Sequence, residues 1–135
     1  MSLRQLLVRF ALIHAVLLTA LSLLLSLFGA QRPTAGSTPV LIGVVIGCCV
    51  WFGRANRRWF TRDERRDAVL GMLVIDTVLQ ALFTLPLLAQ QGSVAAGAIL
   101  FGLAFVAMLH FAAIWVFVGF AGKLVARQLS SQRDE

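Results

Sequence analysis

The chain has 135 residues, of which 59% are hydrophobic and only 13% charged, with a formal net charge of +6 and a pI near 11.4. Soluble domains carry roughly 45–50% apolar and about 25% charged residues, so the composition excludes an ordinary soluble enzyme and points to a single integral membrane domain over residues 1–135. The basic charge sits on the flanks of apolar runs and in one loop instead of forming a stripe on a folded surface, which makes membrane lipid an expected partner and nucleic acid not one.

The apolar runs lie at Phe10–Ala30, Pro39–Gly53, Ala68–Leu88 and Val94–Gly122. Before the first, Ser2 and Gln5 have the capping-box spacing, in which hydroxyl and amide satisfy free backbone donors reciprocally. Met1–Ala30 has the outline of a secretory signal. Its apolar part is too long for one, however, and Leu27-Phe28-Gly29-Ala30 puts no small residue at the first specificity position, so a retained span over 10–30 is expected. Within it Ala15, Thr19, Ser22 and Ser26 recur at helical spacing and predict a packing seam.

The second run opens with Thr38-Pro39, an N-cap followed by proline at the first helical position. About fifteen apolar residues at ~1.5 Å each reach only ~22 Å, short of the ~30 Å hydrocarbon core. The span is therefore expected to continue to Phe60, over 39–60, with Arg54, Arg57 and Arg58 snorkelling beside Trp51 and Trp59. Gly43 and Gly47 form a GxxxG pair, expected to pack helices inside the bundle; the alternative is self-association or the seating of a partner's helix. Cys48 and Cys49 are adjacent, which offers neither a structural disulfide nor zinc spacing, and both read as small buried hydrophobes.

The loop 54–67 holds Arg54, Arg57, Arg58, Arg62, Arg65 and Arg66 with Asp63, Glu64 and Asp67. It is expected to be a helix-turn-helix with salt bridges such as those of Arg62 and Arg66 around Asp63 and Asp67. It is also where a polar partner would dock. Thr61 with Glu64 is a second capping box and predicts a third helix starting at Arg62, over 62–88. Gly92-Ser93 offers a turn and a cap, so the fourth span, 94–122, forms an antiparallel hairpin with the third. Ala95, Ala98, Gly102 and Ala113 lie on one arc of that span, with His110 at its edge.

Of twelve basic residues, eleven flank the spans on one side and only Arg32 falls on the other. The positive-inside rule then places both termini and the arginine loop in the cytoplasm, giving an all-α bundle of four transmembrane helices, N-in and C-in, in a bacterial inner membrane.

Asp76 is the only acid within an apolar run and lies nine positions beyond Asp67, ~13 Å into the layer. An acid there costs on the order of 2.5–3.5 kcal/mol on insertion scales, so it should face the bundle or a wet cavity. Gln80 and Thr84 follow at four-residue intervals, and His14 and His110 bracket Asp76 in depth. One reading is a proton-exchanging acid of the kind coupled transporters need. The other is a hydrogen-bonded aspartate that pins the packing. A zinc site from His14, His110, Asp76 and a cysteine is chemically conceivable, but without close ligand spacing no metal or cofactor is expected. No Ser/His/Asp arrangement, HExxH or P-loop is present, so no enzymatic activity is expected.

The run Trp51-Phe52-Gly53-Arg54 through Trp59-Phe60-Thr61-Arg62-Asp63-Glu64-Arg65-Arg66 resembles small four-span bacterial inner-membrane proteins of the ABZJ type, whose function is unknown. That resemblance implies location and span count. Asn56-Arg57-Arg58-Trp59-Phe60, with Arg9-Phe10, is also similar to GtrA-like proteins, associated with moving polyprenyl-linked sugars across the inner membrane. The glycine that family usually places just after the arginine-phenylalanine pair is missing. The sequence thus supports two expectations. One is an accessory or immunity-type interaction protein acting through helix faces on a membrane-protein partner or on itself. The alternative is a small proton-coupled transporter or lipid-linked sugar flippase centred on Asp76.

Overall fold

Four helices follow one another in the computed structural model, which describes residues 1–28, 34–90 and 96–131: α1 Leu3–Leu27, α2 Thr34–Asn56, α3 Arg62–Gln90 and α4 Ala96–Ser131. Each is long and apolar enough to cross a membrane, and the four pack as one bundle, the architecture of a multi-pass membrane protein. Arg32, Gly92, Ser93, Ala95 and Arg133, on which parts of the topology and turn expectations rest, lie outside the described residues.

Both capping boxes form. Gln5 N–H donates to Ser2 Oγ at 3.3 Å while Ser2 N–H donates to Gln5 Oε1 at 3.0 Å. Glu64 N–H donates to Thr61 Oγ1 at 3.3 Å while Thr61 N–H donates to Glu64 Oε2 at 3.0 Å. These bonds fix the first turns of α1 and α3 where the sequence places them.

The second span differs at both ends. Instead of starting behind a Thr38 cap, α2 begins at Thr34 and takes in Pro39 as its sixth residue. Instead of running to Phe60, it stops at Asn56. Its 23 residues span ~34 Å, so the length missing from the apolar run is made up at the end away from the arginines. Proline there forfeits one intrahelical bond, a smaller loss than a turn of unpaired backbone in lipid. The stop is local chemistry. Arg57 adopts φ 50, a left-handed conformation that a helix cannot continue, and its N–H closes a turn on Arg54 C=O. Asn56 Nδ2 donates to Phe52 C=O at 3.0 Å and to Met1 C=O at 3.1 Å, which ties the end of α2 to the start of α1. α4 also exceeds its expected limit of Gly122 and continues to Ser131.

The helices pack in a ring, α1 on α2, α2 on α4, α4 on α3 and α3 on α1. Each presents a buried stripe at helical spacing: Leu6, Phe10, His14 and Leu18 on α1; Leu41, Val44, Val45, Cys48, Cys49 and Phe52 on α2; Ala68, Val69, Met72 and Asp76 on α3; His110, Ile114, Val118, Ala121 and Val125 on α4. The opposite faces expose Leu12, Val16, Val74, Leu82, Leu100, Phe101 and Val116, which suits hydrocarbon.

The expected seams are not where these helices meet. Gly43 and Gly47 are exposed, and a Cβ built at either, or at Gly102, meets nothing within 4 Å. Ala98 is exposed. Thr19 and Ser26 donate to Ala15 C=O and Leu23 C=O of their own helix, while Ser22 is only half-buried. The close approaches occur at other glycines. A Cβ on Gly122 would stand 2.8 Å from Trp59 Cε2, and one on Gly53 would stand 2.7 Å from both γ-carbons of Val125. Gly122→Ala is therefore expected to destabilise the bundle by about 1–3 kcal/mol, because the added methyl overlaps the rigid indole ring and one of the two must shift. Gly47→Ala should stay within about 0.5 kcal/mol. Unfolding in mixed micelles compares the two.

Candidate functional site

His14, Asp76 and His110 occupy the place of an apolar residue in three of those stripes, each four residues from a core hydrophobe: Phe10, Met72 and Ile114. Asp76 is midway along α3, fourteen residues from Arg62 and fourteen from Gln90, roughly 21 Å from either end. Because α3 contacts both α1 and α4, its carboxylate lies between the two histidines although α1 and α4 stand on a diagonal of the ring.

Three donors hold the carboxylate. His14 Nε2 lies 2.9 Å from Oδ1 and His110 Nδ1 lies 2.6 Å from Oδ2. Gln80, one turn further along α3, donates its amide to Oδ2 at 3.0 Å. That amide also lies 2.6 Å from His110 Nδ1. Asp76 is 1% exposed, His14 0% and His110 4%, so these bonds take the place of water around a charge that hydrocarbon would reject.

The two imidazoles differ on their far sides. The His14 ring stacks on Phe10, centroids 5.3 Å apart and planes 16° apart, and its Nδ1 is buried with no hydrogen-bond partner. His110 Nε2 faces Thr38 Oγ1 of α2 at 3.5 Å. Four helices thus reach one cluster: α1 through His14, α2 through Thr38, α3 through Asp76 and Gln80, α4 through His110. Thr84, two turns beyond Asp76, is half-buried and makes no bond to it. A narrow crevice between α3 and α4, lined by Asp76, Thr77, Gln80, Leu103 and Ala107, reaches the cluster from the side. Among the described residues, no group of three or more metal-ligating side chains is placed to hold an ion.

Thr38 was not legible as a member of the site, because next to Pro39 it reads as a helix cap. The earlier start of α2 makes Thr38 helical, and although the residue is exposed its hydroxyl comes to 3.5 Å from His110 Nε2.

The arginines gather at one end of the bundle and are partly engaged. Arg58 grips Glu64 with two bonds of 2.7 Å across the turn, and Arg66 approaches Asp67 at 3.5 Å. The expected pairs of Arg62 are replaced by this cross-turn fork, since the break at Arg57 folds Arg58 back over the first turn of α3. Arg65 lies over the Trp115 ring at 4.7 Å and Arg9 over Trp51 at 4.0 Å, linking α3 to α4 and α1 to α2. Arg54 donates to Gln128 Oε1 at 2.9 Å. This end therefore fixes the helices relative to one another, while His14, Asp76 and His110 form a separate hydrogen-bonded cluster of ionisable side chains in the core.

No protein-family model, curated protein sequence or solved structure matches the chain.

Proposed function

We propose that the protein is a proton-binding membrane protein of the coupled-carrier kind, working from the His14–Asp76–His110 cluster in a bacterial inner membrane with both termini and the arginine loop cytoplasmic. The observation that carries this reading is two imidazoles on one carboxylate at mid-depth. Holding helices together does not call for such a cluster. Apolar side chains of similar volume often replace a buried ionic group with no loss of stability, and ionisable residues inside a membrane mark ion and proton paths. Imidazole is also the side chain whose ordinary proton exchange falls between pH 5 and 8. The orientation rests on the eleven-to-one distribution of basic residues.

The test is labelling by a hydrophobic carbodiimide, which attacks protonated carboxyls, in native membranes from pH 6 to 8. Labelling that falls as pH rises and disappears in Asp76→Asn supports the reading. A carboxylate unlabelled at every pH, with neither imidazole of the cluster changing its protonation over the same range, removes its basis.

A second reading has an observation of its own. Gly43, Gly47, Ala98 and Gly102 present small-residue faces that the bundle leaves open, which favours an accessory protein seated on a partner's helix or on a second copy. Crosslinking from Gly47→Cys in native membranes, in a Cys48→Ala, Cys49→Ala background, tests it; recovery of the single chain alone argues against it.

A further inference from the structure

We propose that His110 is the group in the cluster that takes up and releases the proton, that Thr38 is the positioning residue that makes this possible, and that His14 stays neutral as a fixed donor to Asp76. This deepens the proton-binding function proposed above and rests on it.

The argument is one of donors and acceptors. A neutral imidazole has one N–H and one bare nitrogen, whereas the cation has two N–H donors and no acceptor. His14 uses Nε2–H on Asp76 Oδ1. Its Nδ1 has no partner and is buried, so a second proton there would place a cationic N–H against apolar neighbours with nothing to accept it, among the costliest arrangements in a core. A bare nitrogen lone pair at the same place costs much less.

His110 has no such obstacle. Its Nδ1 lies 2.6 Å from Asp76 Oδ2 and 2.6 Å from the Gln80 amide nitrogen; the carboxylate takes the ring N–H, so Gln80 must turn its own N–H to the same Oδ2, and Nε2 faces the Thr38 hydroxyl. A hydroxyl both donates and accepts. With neutral His110, Thr38 O–H donates to Nε2. When a proton arrives on Nε2, the hydroxyl rotates and accepts from it. Each state leaves the far nitrogen partnered, and the ring gains or loses one proton while Asp76 remains its counter-ion.

The groups facing His110 are Asp76 and Gln80 from α3 and Thr38 from α2, and His14 of α1 reaches the same carboxylate from the other side. Among the described residues no further charged group bonds to either ring. Cys48 and Cys49 lie roughly 15 Å further along α2. Thr38 is four residues from Thr34, where α2 begins at the end opposite the arginine loop. The proton-accepting nitrogen of His110 is thus turned toward that end. Uptake strengthens the link from α4 to α2, since a hydrogen bond from a cation is shorter and stronger than a neutral one, and so joins protonation to the spacing of two helices.

The experiment is nitrogen-15 magnetic resonance of histidine-labelled full-length protein in lipid bilayers from pH 5 to 9, with His14→Gln and His110→Gln used to assign the two rings. His110 is expected to pass from one to two protonated nitrogens across this range while His14 keeps a bare Nδ1 throughout. Thr38→Val should delay the second protonation of His110 to lower pH, because the cation loses its acceptor, and Thr38→Ser should restore the native profile. Titration of His14, or a midpoint indifferent to Thr38→Val, overturns the assignment while leaving a proton-binding cluster in place. Two rings that both keep one protonated nitrogen, together with an unlabelled Asp76, overturn the assignment and the proposed function with it.

Discussion

Asp76→Ala is expected to cost the bundle about 3–5 kcal/mol, the largest loss of any single substitution at the cluster. Its carboxylate is the shared acceptor for His14, His110 and Gln80. Removing it leaves three donors, the two histidines buried and Gln80 half-buried, facing a small cavity, and breaking a buried ionic group by deleting one partner is costly because the remaining partners cannot recover solvation. The histidines sit one step from the carboxylate and lose less on their own. His110→Ala still leaves Asp76 with His14 and Gln80, and His14→Ala still leaves it with His110 and Gln80. Unfolding in mixed micelles at fixed pH should therefore rank Asp76→Ala well below either histidine variant, with Asp76→Asn between because one amide oxygen still accepts.

Replacing the whole cluster has the opposite sign. A variant carrying His14→Phe, Asp76→Leu, Gln80→Leu and His110→Phe is expected to unfold within about 1 kcal/mol of the native protein, or above it, since a fully apolar substitute often matches or exceeds a buried ionic network. The same variant should bind no proton in its membrane interior. The two outcomes separate purpose from packing. If the cluster exists to hold the helices in register, the apolar variant should lose its cooperative transition. If it exists to bind a proton, the variant should fold well and lose that property alone.

Much of this arrangement is legible in the sequence, and the exceptions have identifiable causes. The four helices, the capping boxes at Ser2 and Thr61 and the start of α3 follow from local chemistry that a membrane does not alter. The common depth of His14, Asp76 and His110 follows from counting residues along helices. Which faces turn inward does not follow so simply. In α2 the residues against the bundle, such as Val44 and Val45, are no more apolar than those around the open Gly43 and Gly47, because lipid and core ask for the same side chains. A GxxxG spacing therefore marks a face where a helix is able to approach without saying whether one does.

The inward face of α3 is the informative exception. Asp76 and Gln80 cannot face hydrocarbon, so the polar stripe identifies the buried side, and Met72 and Ala68 continue it toward the arginine end. Thr38 was missed for a different reason. Its neighbour Pro39 gives a strong helix-start signal, and the competing demand that α2 reach across the layer outweighs it. The cross-turn fork of Arg58 on Glu64 was likewise hidden by the left-handed Arg57, a conformation that nothing in an arginine's chemistry announces.

The measurement that bears most directly on the central claim is a proton count. Purified native protein and Asp76→Asn, in identical micelles, would be titrated between pH 5 and 9 and the difference in bound protons recorded. The account predicts that the native chain takes up one proton more than the variant as pH falls through this range, the proton held on His110 with Asp76 as its counter-ion. Superimposable curves would contradict it and leave Asp76 as a hydrogen-bonded pin of the bundle.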